Sequence, residues 1–176
     1  MAETNGTKSG AVESPAPGGG DIKFLIQKIY VKDLSFESPN SPKVFSGEWQ
    51  PEVNMDLQTQ SKSVGENLYE TVLIVTVTVK NQGEVAFLIE VKQAGIFTIE
   101  TDDKKALNET LGIFTPNLLF PYVRKTVSDA AGEGGFPPLY LSPINFEHIY
   151  RQHMEKSPEA AAGKGKDEGT PAEQGK

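Results

Sequence analysis

Two imidazoles can share a metal or pass a proton when both reach one point, which on a helix requires a spacing of three or four residues. The two histidines of this chain, His148 and His153, are five apart in a segment of helical pattern, so they point to different sides. Asp102 and Asp103 are adjacent carboxylates, but Glu100 before them and Lys104 and Lys105 after them read as a solvated loop rather than an oxygen cage for a divalent ion. The serines fall in terminal segments and turns, without the strand-to-helix elbow that exposes a nucleophile. Gly18 to Gly20 lack the lysine, the preceding strand and the following helix of a phosphate loop. With no cysteine in the chain, disulfides, thiolate catalysis and Cys-ligated zinc are excluded together. No catalytic motif, metal site or cofactor-binding motif survives, and the expectation is a binding protein rather than an enzyme.

Charge narrows the partner. The formal net charge is −7, which repels phosphate, disfavours nucleic acid and favours basic partners. No stretch approaches the ~20 apolar residues of a membrane span, since even Val72 to Val79 is interrupted by threonine; stable membrane insertion is not expected. The first twenty residues have neither the basic start nor the apolar run of a secretory leader, so a cytoplasmic location is expected. Residues 1–20 and 157–176 are dominated by Gly, Ser, Pro, Ala, Lys and Glu, too poor in apolar area to offset the entropy of ordering. They are expected to be tails flanking one domain over residues 21–156.

Within that domain, Ile22 to Lys32 has apolar residues at both parities and predicts a strand touched on both faces. Two prolines in Ser38 to Lys43 predict a long irregular connection from Leu34 to Pro51 carrying Trp49. Val53, Met55 and Leu57 alternate with polar residues, the pattern of a half-buried strand. Leu68 to Lys80 and Val85 to Gln93, joined by Asn81-Gln82-Gly83, predict an antiparallel hairpin. On its second strand Phe87, Ile89 and Val91 share one face; Ala86, Leu88, Glu90 and Lys92 share the other. After Gly95 the pattern changes, and Lys104 to Leu111 predicts a short helix. Thr115 reads as a cap before Pro116, opening a helix to Gly132 with a kink at Pro121; Phe136 to Leu141 is extended, and Pro143 opens a last helix. Strands followed by helices predict an α+β fold, a four-stranded antiparallel sheet with helices on one face. So thin a helical layer leaves apolar area uncovered, which predicts self-association.

Two features remain for function, an acidic frame and aromatic residues in irregular segments. Phe36, Phe45, Trp49, Phe136 and Tyr140 are placed either to line an apolar groove for flexible ligands or to anchor loops to the domain's own core. An alternative of another class is an oligomeric small-ligand-binding or scaffold protein.

Several long segments resemble the SecB family of protein-export chaperones: Ile29-Tyr-Val-Lys-Asp-Leu-Ser-Phe-Glu-Ser-Pro-Asn40, Trp49-Gln-Pro-Glu52, Val85-Ala-Phe-Leu-Ile-Glu-Val91, Gly95-Ile-Phe97, Pro116-Asn-Leu-Leu-Phe-Pro-Tyr-Val-Arg124 and Phe136-Pro-Pro-Leu-Tyr-Leu-Ser-Pro-Ile-Asn-Phe146. The resemblance runs from Phe24 to Tyr150. It implies a SecB-like fold assembling as a dimer of dimers, an ATP-independent holdase that binds unfolded export precursors, keeps them translocation-competent and delivers them to the SecA translocation ATPase. It further implies a SecA-binding surface at Asp33, Glu37, Leu88 and Glu90, and an oligomer interface at Phe87, Ile89, Val91 and Gln93. Ile89 stands where the family has a cysteine. A precursor groove is implied beside Trp49, Val53, Met55 and Leu57.

Overall fold

The computed structural model describes residues 22–156; the tails expected at 1–20 and 157–176 lie outside the described residues. Four strands, β1 (Lys23–Glu37), β2 (Pro51–Gly65), β3 (Leu68–Asn81) and β4 (Glu84–Glu100), form one antiparallel sheet in the order β1-β4-β3-β2. Three helices follow, α1 (Lys104–Glu109), α2 (Thr115–Glu133) and α3 (Phe146–Lys156). This is the expected α+β arrangement, and among the described residues no helix is long and apolar enough to cross a membrane.

The β3–β4 hairpin turns where expected. Gln82 and Gly83 both take positive φ, 53° and 83°, the pair of left-handed residues that matches a two-residue turn to the twist of its strands. Leu73, Val75, Val77 and Val79 of β3 then stand beside Gln93, Val91, Ile89 and Phe87 of β4. Leu119, Val123 and Val127, four residues apart on α2, close over this face and are fully buried. Each aliphatic side chain so enclosed contributes roughly 1.5–3 kcal/mol.

β1 is longer than the strand expected over Ile22 to Lys32, and most of its apolar residues gather on one face. It runs to Glu37, and its pairing with β4 slips once between Ile26 and Lys28 and again between Val31 and Asp33. Each bulge shifts the parity by one. Consequently Phe24 and Ile26, then Ile29 and Val31, then Leu34 and Phe36 all stand on the helix-side face, opposite odd-numbered residues of β4. The irregular connection therefore begins only at Ser38. Its course is pinned to the hairpin: Ser38 Oγ donates to the Ala86 carbonyl at 2.8 Å and Asn40 Nδ2 to that of Val85 at 2.9 Å. Farther on, the Asn81 side chain accepts from the Gln50 amide at 2.8 Å and donates to the Glu48 carbonyl at 3.0 Å.

Two further boundaries differ from expectation. β4 continues past Gly95 to Glu100 because Phe97 and Ile99 keep the alternation and are buried. Thr115 does not cap a new helix. Its backbone N–H bonds to the Thr110 carbonyl across a π turn at Thr110–Phe114 that joins α1 to α2, and its hydroxyl donates to the Leu111 carbonyl at 2.9 Å. The wider turn lies where the Pro116 ring would otherwise press on the carbonyl four residues earlier. α3 starts at Phe146 rather than Pro143, where the Asn145 side chain accepts from the His148 amide at 3.0 Å.

Candidate functional sites on the two faces of the sheet

On the face away from the helices, register brings the four residues of the implied SecA-binding surface together. Glu37 stands directly opposite Leu88, Ser35 opposite Glu90, and Asp33 opposite Lys92. Strand alternation does this: Leu88, Glu90 and Lys92 are successive even positions of β4, and Asp33, Ser35 and Glu37 are the matching positions of β1 beyond its second bulge. Leu88 is half-buried among exposed or half-exposed carboxylates. Lys92 stands among them, its ammonium 3.0 Å from an Asp33 carboxylate oxygen and 3.1 Å from one of Glu90. The ammonium is held above its ordinary pKa, first by its hydrogen bond to Asp33 and then by that to Glu90. An apolar centre ringed by carboxylates suits a basic partner with one apolar contact residue.

The opposite face of β4 is packed inside the protomer. Phe87, Ile89, Val91 and Gln93, the residues expected at an oligomer interface, are 1, 0, 0 and 2 % exposed beneath α2 in the single protomer. α2 packs over β3 and β4 and covers the apolar face expected to lack cover. The uncovered apolar area lies one strand away, on the helix-side face of the edge strand β1, where Ile26, Val31 and Leu34 are 43, 48 and 47 % exposed.

The aromatic residues of the connection converge. Phe136, buried, has the rings of Phe45, Trp49 and Phe87 at 5.0, 5.6 and 4.7 Å between centroids, and that of Phe36 at 6.4 Å. These residues anchor the connection to the core, while Phe45 and Tyr140 keep large exposed surfaces. Beside them on the other edge strand, Val53, Met55 and Leu57 share the helix-side face, opposite Val79, Val77 and Val75. Val53 is 47 % exposed and the other two are half-buried. The residues of the implied groove thus form an apolar shelf at the β2 edge, with Trp49 at one end.

Two further features carried no signal in the sequence. The first is a cavity of about 770 Å³ between the π turn, the start of α2 and α3, lined by Ile113, Phe114, Ile144 and Tyr150 among others; none of the expected groove residues lines it. α3 docks there through Tyr150, which lies so close to Gly112 that a Cβ on that glycine would sit 2.4 Å from the ring. Burial raises the Tyr150 pKa, with Glu109 adding to it. The second is an ion cluster on the open face. Glu70 of β3, 6 % exposed, accepts from Lys32 at 2.8 and 3.0 Å and from the Tyr30 hydroxyl, both on β1, and pairs with Lys62 of β2 at 3.0 Å. The Lys32 and Tyr30 hydrogen bonds outweigh burial and hold the Glu70 carboxyl down to about 2. The same contact pushes the Tyr30 phenol up to about 12. His148 and His153 are exposed on α3, the former bonded to Gln152.

Residues 19–157 match the family model described as preprotein translocase subunit SecB. The chain is 51 % identical over 167 residues to the protein-export protein SecB of Chromohalobacter salexigens, covering 92 % of this chain and 98 % of that one. It is 52 % identical over 133 residues to the protein-export protein SecB of Hahella chejuensis, covering 76 % and 84 %. Among solved structures, its fold is similar to the Mycobacterium tuberculosis Rv1957 SecB-like chaperone in complex with a ChAD peptide from the Rv1956 HigA1 antitoxin. The TM-score is 0.59 at 17 % identity, covering 69 % of this chain and 90 % of that chain.

Proposed function

The chain belongs to the SecB family; it is a chaperone for protein-export precursors and not an enzyme, and we propose that it acts in the cytoplasm as an ATP-independent holdase that passes its clients to SecA. The observation that carries this reading is 51 % identity to a protein-export protein SecB over 98 % of that protein's length.

Clients dock along the apolar shelf of Val53, Met55 and Leu57 and the neighbouring aromatic cluster. Contacts of this kind are weak and unspecific, each Å² of apolar area contributing ~25 cal/mol against the ordering entropy of the bound chain. Several copies of the shelf on one particle make later contacts intramolecular, which raises affinity without demanding a particular sequence. The particle is a homotetramer, a dimer of dimers, in which the exposed stripe of Ile26, Val31 and Leu34 is covered by other copies. SecA docks on the open face at Asp33, Glu37, Leu88 and Glu90, on the opposite side of the sheet from the shelf.

The direct test is refolding of an unrelated denatured protein, monitored by its recovered activity, with and without the purified chain and without ATP. The chain is expected to slow recovery in proportion to its concentration, with no change on adding ATP. Recovery at the unassisted rate under excess chain would overturn the holdase reading.

A further inference from the structure

The acidic surface of the open face contains its own cation. Lys92 stands opposite Asp33 and two residues beyond Glu90 on the same face, and its single ammonium donates a hydrogen bond to Asp33 at 3.0 Å and pairs with Glu90 at 3.1 Å. Those two carboxylates come from different strands and are two of the three on which hand-over to SecA rests. Exposed pairs of this kind add little to stability, and β1 is already joined to β4 by a ladder running from Lys23 to Glu37. Holding the strands together therefore does not account for an ammonium at this position.

We propose that Lys92 is a specificity-setting counterion of the docking surface: it occupies Asp33 and Glu90 in the unbound chain, and a partner must displace it. This deepens the hand-over reading above and rests on it. A lone lysine passing over the surface exchanges one ammonium–carboxylate pair for another and gains little. A partner that presents several cationic groups together, above all guanidinium groups that grip a carboxylate with two parallel N–H bonds, gains pairs that Lys92 cannot match. The surface thus selects a clustered basic segment and rejects isolated basic residues, including those of unfolded clients held on the other side of the sheet. Selectivity is achieved by raising the cost of the wrong partner.

The test compares the full chain with its K92Q and E90Q variants, measuring association and dissociation rates with SecA between about 50 and about 300 mM salt. An unstructured peptide whose lysines are well separated from one another serves as a non-selective basic probe. If Lys92 competes with the partner, K92Q associates with SecA about three- to tenfold faster at low salt, with a steeper salt dependence, and gains measurable binding of the peptide with separated lysines. Binding of SecA by K92Q that equals or falls below that of the unmodified chain at every salt concentration overturns the counterion role. E90Q separates the two layers of the argument. Weaker SecA binding by E90Q beside unchanged binding by K92Q removes only the role of Lys92, whereas unchanged binding by E90Q removes the docking surface itself. Thermal unfolding of both variants should stay close to that of the unmodified chain, since only exposed pairs are lost.

Discussion

Glu70 is the one carboxylate among the described residues that is buried, and its three partners come from both neighbouring sides of the sheet. Its folded pKa, about 2, lies below the ordinary 4.5. A depressed carboxyl pKa contributes stability that is fully present above the unfolded value and is lost as pH falls from about 4.5 through about 2. A shift of this size corresponds to at most about 3 kcal/mol, less the screening that the half-exposed lysines admit. Glu70→Gln should therefore lower the urea midpoint clearly at pH 7, while the gap between variant and unmodified chain closes as pH drops below 4.5. A gap that stayed constant with pH would mean that the lost stability comes from shape and not from charge. The cluster leaves no trace in the one-dimensional pattern, because Tyr30, Lys32, Lys62 and Glu70 are scattered through the chain. Lys32 reaches Glu70 only because it is the unpaired residue of a bulge.

Elements were legible where alternation is strict and illegible where a bulge or a π turn interrupts it. Val53, Met55 and Leu57, the whole of β3, and the turn at Gln82-Gly83 follow from period and turn chemistry alone. β1 looked two-faced largely because its two bulges move apolar residues between parities while keeping all but Leu25 and Tyr30 on one face. Pro116 looked like a helix start because it is one wherever no wider turn precedes it. That Leu88, Glu90 and Lys92 share a face was readable as a parity of β4, but the docking role proposed for that face and its residues on β1 came from family resemblance, since register across bulges is invisible in a single strand. The client shelf is an element-scale prediction. Trp49 also packs at 5.6 Å from Phe136, so Trp49→Ala together with Leu57→Ala should both weaken client capture and destabilise the fold by about 3 kcal/mol or more. Val53→Ser is the cleaner probe, because half of that side chain already faces water. It should leave the melting temperature nearly unchanged and shorten the delay imposed on a refolding client. Unchanged delay by a folded Val53→Ser chain, with Leu57→Ala equally silent, would move the client site elsewhere.

At the scale of the whole molecule, the burial of one stripe and the exposure of another separate what the fold needs from what the proposed assembly would use. Ile89 is enclosed by the chain's own sheet and α2, and a carboxylate there has no partner and no water. Ile89→Asp should therefore unfold the chain or leave it loosely packed, since an unpaired buried charge costs several kcal/mol against a total stability of only about 5–15. Loss of the proposed tetramer in that variant would speak for an interface at Ile89 only if its circular dichroism spectrum were kept, and would report unfolding if that spectrum were lost. Leu34, by contrast, is 47 % exposed on the edge strand, where the same charge meets solvent in the isolated protomer and desolvation only when another copy covers it. Leu34→Asp should keep its circular dichroism spectrum and sediment as a smaller particle, and a folded variant that sediments as the unmodified chain does would rule this stripe out of the interface. A dissociated variant would also test what the proposed assembly adds. Its shelf at Val53, Met55 and Leu57 lies on the other edge strand of the sheet and stays intact, so single contacts with a client are unchanged. Only the conversion of later contacts into intramolecular ones disappears, a factor of roughly 10² to 10⁴ for a client long enough to reach several shelves. Leu34→Asp should accordingly hold a short unfolded peptide as well as the unmodified chain does and release a full-length unfolded client far faster. Equal loss for both lengths would place part of the client site on β1 itself.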